Sequence, residues 1–159
     1  SLNNMAGLYR TQSKYEQAEP LYQRALAIRE KTLGPEHPDV AVSLNNMAGL
    51  YYVQGKYAEA ESLYQRALTI HEKFQGSKHP NVVTSLNNMA GLCYAQGKYD
   101  EAERLYQRVL KIGEDILGPD HPDLATALDN YAFLLRVINR EAEAAELEVR
   151  AKAIQAKHA

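Results

Sequence analysis

The string SLNNMAGL occurs at Ser1, Ser43 and Ser85, a spacing of 42 residues. A fainter fourth copy, TALDNYAFLL, puts Leu128 where Leu2, Leu44 and Leu86 stand. Residues 43–84 and 85–126 are identical at roughly two-thirds of their positions. A period between about 20 and 50 residues constrains the fold more than any local propensity: each unit buries its apolar face only against its neighbours. The chain of 159 residues then divides into units of about 1–36, 37–78, 79–120 and 121–159, one array with no second domain.

Each unit reads as two helices. Pro38 suits a first helical turn, where its missing N–H costs nothing, and Asp39 suits the positive end of the helix dipole. Leu44, Met47, Ala48 and Tyr51 then recur on one helical face. Gln54-Gly55 breaks the helix, because glycine readily takes the left-handed cap conformation. A second helix follows, with Tyr57, Ala60, Leu63, Tyr64, Ala67, Leu68 and Ile70 on its buried side, and it stops at Gly76. No period-2 alternation persists, so the fold class is all-α.

The tetratricopeptide pattern asks for a large residue, a small residue and an aromatic in the first helix, then alanine, an aromatic and alanine in the second. Leu44, Met47, Ala48, Tyr51, Ala60, Tyr64 and Ala67 fill those places, as do Leu2, Met5, Ala6, Tyr9, Ala18, Tyr22 and Ala25 in the first unit. Leu86, Met89, Ala90, Cys93, Ala102, Tyr106 and Val109 fill them in the third. The longer period, with GPEHPD, LYQRALxI and QGKYxEAE, resembles the repeats of kinesin light chains, and many bacterial proteins carry similar arrays. The resemblance covers essentially the whole chain. It implies a right-handed superhelical α-solenoid of antiparallel helix pairs that binds protein partners. It also implies that the first unit begins partway through its first helix, and that the final helix is a terminal cap, with Glu148 replacing the aromatic.

Composition narrows the partners. A net charge of −2 offers no clustered cation for nucleic acid or an anionic membrane, and no apolar run approaches the roughly 20 residues of a membrane helix. A single cysteine and the absence of a signal-peptide pattern favour a cytoplasmic protein. No phosphate-binding loop or catalytic constellation is legible, so neither an enzyme nor a cofactor is expected.

Three side-chain sets merit weighing. His37, His79 and His121 recur in His-Pro loops, but equivalent positions in stacked hairpins lie about 8–10 Å apart, too far to share an ion. They are expected to close the turn and start the next helix, with no metal. Cys93 stands where Tyr9 and Tyr51 stand and is expected to be a buried small hydrophobe. The face opposite the core carries Asn4, Asn46, Asn88 and Asn130, one in each first helix, with Thr84 beside them and Gly49 and Gly91 leaving the floor open. An asparagine amide pairs with both peptide N–H and C=O, so this face suits an extended peptide; the competing reading is helix-to-helix bonding or recent duplication. Tyr52 and Tyr94 lie on the flank, to rim a groove or, more favourably, to pack on the adjacent helix. Asn45 and Asn87 share that flank. Pro38–Gln54 and Pro80–Gln96 contain no lysine or arginine, so a neutral or mildly polar ligand is expected.

The expected function is a protein-interaction scaffold holding an extended peptide. The alternatives are a self-associating array, joined as a homo-oligomer through Leu2, Met5 and Leu8, and the sensor arm of a larger signalling protein.

Overall fold

In a computed structural model, residues 2–12 and 14–159 are described; Ser1, Ser13 and the side chains of Tyr9 and Thr11 lie outside the described residues. Among the described residues there are eight α-helices: α1 (Leu2–Thr11), α2 (Tyr15–Leu33), α3 (Pro38–Val53), α4 (Tyr57–Gln75), α5 (Pro80–Ala95), α6 (Tyr99–Leu117), α7 (Pro122–Val137) and α8 (Glu141–Lys157). They form two compact halves, residues 1–77 and 78–159, each of two hairpins.

The ends of the helices follow from the repeated loop chemistry. His37, His79 and His121 are N-caps in extended conformation, each followed by a proline in the first turn. Their Nδ1 atoms accept from the backbone N–H two residues on, at 3.0 Å for Asp39 and 3.1 Å for Asn81 and Asp123. This satisfies one of the donors that a helix start leaves open, so the turn-closing role expected of these histidines is observed.

The tight turn inside the hairpin is a Schellman motif. The Lys56 N–H reaches the Tyr51 carbonyl at 2.8 Å and the Gly55 N–H reaches Tyr52 at 3.0 Å, with Gly55 at φ 76°. The same bonds recur at Gly97 and Lys98. In the fourth hairpin Asn139 takes that place at φ 63°, asparagine being the side chain that best tolerates it.

In the first half, Ala6, Ala18, Tyr22, Met47 and Leu50 form one core cluster, and Val40, Ala41, Leu44, Ala67 and Ile70 a second. Small residues let α1–α2 and α3–α4 approach closely, while Tyr22 and Tyr64 fill the space beside them. In the second half Leu86, Ala90, Ala102, Tyr106, Leu128, Tyr131, Ala132 and Ala144 are buried, with the Tyr106 and Tyr131 rings stacked at 6.2 Å. Cys93 is 6% exposed, as expected of a small hydrophobe. His71 is 1% exposed, its Nδ1 2.9 Å from Gln75 Oε1.

The last helix is tied down by charge. Glu148 pairs with Arg136 at 2.7 Å, and Arg136 also bonds Glu141. The glutamate that breaks the aromatic pattern therefore has an ionic partner on α7.

Candidate functional site

The face opposite the core is open to solvent in both halves. In the first half Val42 and Val53 are 43% and 48% exposed, with Asn46 half-buried between them on α3 and Asn4 exposed on α1. In the second half Thr84 and Asn130 are exposed and Asn88 is half-buried, while Phe133 is 58% and Val137 39% exposed. The asparagines thus lie on the solvent side of their helices. Thr84 Oγ1 donates back to the Pro80 carbonyl at 3.3 Å, leaving its oxygen available as an acceptor.

The flanking tyrosines pack within their own hairpins. Tyr52 lies 5.8 Å from Tyr57, and Tyr94 lies 5.7 Å from Tyr99, each centroid to centroid. Tyr94 also meets Phe133 at 5.6 Å, which makes an aromatic ledge on the open side of α5 and α7. These ring contacts set both tyrosines against the second helix of their own hairpin.

One expectation needs correcting. Gly49 does not leave an open floor: a Cβ built there would stand 2.8 Å from Arg10 Nη1, because the guanidinium from α1 lies across it. Gly91 does leave open space, with nothing within 4 Å of the same position. Reading α3 and α5 alone hides this cation, because it comes from the preceding first helix. In the second half the corresponding cation is occupied, since Arg136 is held by Glu141 and Glu148. Those hydrogen bonds hold the Glu148 carboxyl below the usual carboxylate range.

Tyr131 borders this region from the core side. Its hydroxyl donates to Glu103 at 2.8 Å and accepts from Gln107 at 3.0 Å, and Arg140 meets the same Glu103 at 2.7 Å. Burial, followed by the bond to the Glu103 carboxylate, pushes the phenol up to about 12. Tyr51 is raised in the same direction, by burial and by its 2.9 Å bond to Glu19.

A tetratricopeptide-repeat profile matches residues 1–73, 39–115 and 82–157, which covers the array from end to end. The chain belongs to the tetratricopeptide-repeat family. Tetratricopeptide repeats generally mediate protein–protein interaction. Among solved structures this repeat protein is similar to BtubC (BKLC) from P. vanneervenii, with a TM-score of 0.89 and 26% identity over 99% of its length. It spans 63% of the BtubC chain. It is also similar to a Podosopora anserina protein of nearly identical TPR-like repeats, assigned as a kinesin light chain. There the TM-score is 0.85 and the identity 29%, over 98% of this chain and 74% of that one. No curated protein matches it. The architecture is therefore a solenoid of the kinesin-light-chain-like type. Among the described residues, no helix is long and apolar enough to cross a membrane.

One position at the 42-residue spacing lies outside the core pattern. Arg29, His71, Gly113 and Gln155 are equivalent positions, and only the third is a glycine. That glycine sits inside α6 and is buried.

Proposed function

We propose that the protein holds an extended segment of a partner protein along the solvent-facing side of the first helices within a half, α1 and α3 in one and α5 and α7 in the other. The observation that carries this reading is Gly91. A glycine inside a helix costs about 1 kcal/mol relative to alanine, yet a Cβ at Gly91 would meet nothing within 4 Å. The fold does not need the glycine, whereas the close approach of another backbone does.

The neighbouring groups suit such a segment. The Asn88 and Asn130 amides each offer a donor and an acceptor to a peptide bond. Tyr94 and Phe133 add apolar contact for a side chain. Arg136 is already committed to two carboxylates, so in this half a neutral or mildly polar segment fits better than an acidic one. In the first half Arg10 adds one cation beside Asn46. The family is one of scaffolds, which favours binding over catalysis.

The test is capture of a partner by the parent protein and by two variants, Asn46→Ala with Asn88→Ala, and Gly91→Leu. The thermal transition of each variant is recorded alongside. Loss of the partner with the melting temperature retained supports the groove. Equal capture by all three proteins rejects it.

One observation favours a second reading, self-association. Met5, Leu8 and Ile28 are 50%, 56% and 48% exposed, whereas their equivalents Met47, Leu50 and Ile70 are 7%, 1% and 4% exposed. Exposed large apolar side chains at places that are buried elsewhere in the array suit a partner surface. Sedimentation velocity across a hundredfold concentration range separates the readings, since a single monomer boundary throughout dismisses this one.

A further inference from the structure

A cleft of about 350 Å³ opens in the second half, lined by Thr84 and Asn87 of α5, Gly113 of α6, and Asp123, Leu124 and Ala127 of α7. The first half reveals what fills this space in an equivalent hairpin. There Arg29 stands at the place of Gly113, and its Nη1 donates to the Asp39 carbonyl at 2.9 Å and to Ser43 Oγ at 3.1 Å. In the amide orientation its neighbours require, Asn3 Oδ1 accepts from both terminal nitrogens of Arg29, at 3.3 and 3.2 Å. The equivalents of Asn3 and Asp39 are Asn87 and Asp123, and both line the cleft.

The second half therefore keeps most of an arginine's surroundings without the arginine. Asn87 Oδ1, the acceptor that the guanidinium satisfies in hairpin one, is buried and has no hydrogen-bond partner. An acceptor buried in that state is left uncompensated for its lost water, which a supplied donor offsets. Asn45 Oδ1 is orphaned in the same way in the hairpin whose Arg29 position is His71, itself buried. Gly113 sends no side chain toward Asn87, and Leu124 Cδ2 stands 2.7 Å from where its Cβ would lie, so the cleft opens beside Leu124. Val83, Val109, Ile116 and Leu124 give the cleft apolar walls suited to a methylene stem. The Asp123 carboxylate, 78% exposed, gives the mouth a negative charge.

We propose that this cleft is a binding site for an arginine side chain of the partner, with Asn87 Oδ1 and the Asp123 carbonyl taking the guanidinium as Asn3 and Asp39 take Arg29. The proposal deepens the scaffold reading by naming one side chain of the segment, and rests on it only in assigning that arginine to a partner. An arginine is preferred to lysine because its planar fork reaches two acceptors at once. Ser43 is replaced by Ala127, so one acceptor of hairpin one is missing and a single side chain binds weakly.

The test is an NMR titration of the whole protein with Nα-acetylarginine methylamide, following the Asn87 side-chain amide and the Gly113 backbone amide. The citrulline and leucine analogues serve as neutral and apolar controls. The expected result is saturable shifts at both sites with the arginine probe, and binding at least about tenfold weaker for both controls. Asn87→Leu should weaken the arginine probe by a similar factor while the thermal transition stays cooperative. Gly113→Arg with Leu124→Val rebuilds the first-half pair of Arg29 and Val40. It should raise the melting temperature and abolish probe binding. Equal affinity for the leucine analogue, no shift with any probe, or retained binding in either variant overturns the proposal. Because the titration uses no partner, its failure leaves the groove untouched, and failure of the asparagine variants leaves this cleft untouched.

Discussion

The Tyr131 phenol lies well above its ordinary value, and the sign of its effect on stability is fixed by geometry. The phenol is raised from 10.0 to about 12 in the folded protein. Between those values the unfolded chain has released its proton while the native state keeps it, so stability falls as pH rises from about 10 to about 12. Below the lower value the contribution is fully present, and above the upper one the slope vanishes. Tyr131→Phe should flatten part of that decline, which melting temperatures measured from pH 9 to 12 will record. Two glycines at the same scale have opposite consequences. Gly91→Ala should raise stability by about 0.5–1 kcal/mol, because a Cβ meets nothing there. Gly113→Ala should lower it or leave it unchanged, because the new Cβ stands 2.7 Å from Leu124 Cδ2 and overpacking outweighs the helix propensity. Denaturant midpoints of the two variants compare them directly. The sequence shows that Gly91 recurs with the repeat and Gly113 does not, but the sign of each substitution depends on the space around them, which only the fold reveals.

At the scale of elements, the boundaries were legible because the punctuating residues act locally. The His-Pro pair opens α3, α5 and α7, and the Gln-Gly pair closes α3 and α5, through bonds that span no more than five residues. His79→Ala should therefore cost about 1 kcal/mol, the usual value for a lost N-cap, with the largest rise in amide exchange in the first turn of α5. A uniform rise along the helix would assign the histidine a packing role instead. The buried faces were legible for a similar reason, since 3.6-residue spacing decides which side chains share a side. What the spacing left undecided was the occupant of the outer side. Arg10 crosses to Gly49 from another helix, and Arg136 turns back to Glu141 and Glu148, although both stand at the position that Tyr52 and Tyr94 occupy.

Over the whole molecule, each half is stitched by ion pairs that recur with the repeat. Arg66 meets Glu30 at 3.2 Å and Arg150 meets Glu114 at 2.7 Å. Lys73 meets Glu36 at 2.8 Å and Lys157 meets Asp120 at 2.9 Å. At the equivalent place in the third hairpin the signs are exchanged, with Lys78 on the loop and Asp115 on the helix, 3.4 Å apart. Exposed pairs of this kind contribute little, about 0–1 kcal/mol. Lys78→Glu should destabilise by about 0.5 kcal/mol, and adding Asp115→Lys should restore the parent value by rebuilding the pair in the orientation of its neighbours. The coupling should shrink in 1 M salt, and a double variant no better than the single one would show that the two charges do not interact.

By itself the sequence determined the repeat, the helical fold, the residues that start and stop each helix and the faces that are buried, because all of these follow from local bonding and a short period. The family followed too, since its signature is that same core pattern. Only the tertiary structure decided which side chains cover the open face and where space remains. Those outcomes depend on long side chains reaching from other helices. Arg29 reaches across its hairpin and Gly113 has no side chain to do so, and their difference has meaning only once Asn87, Asp123 and Leu124 are brought around the same point.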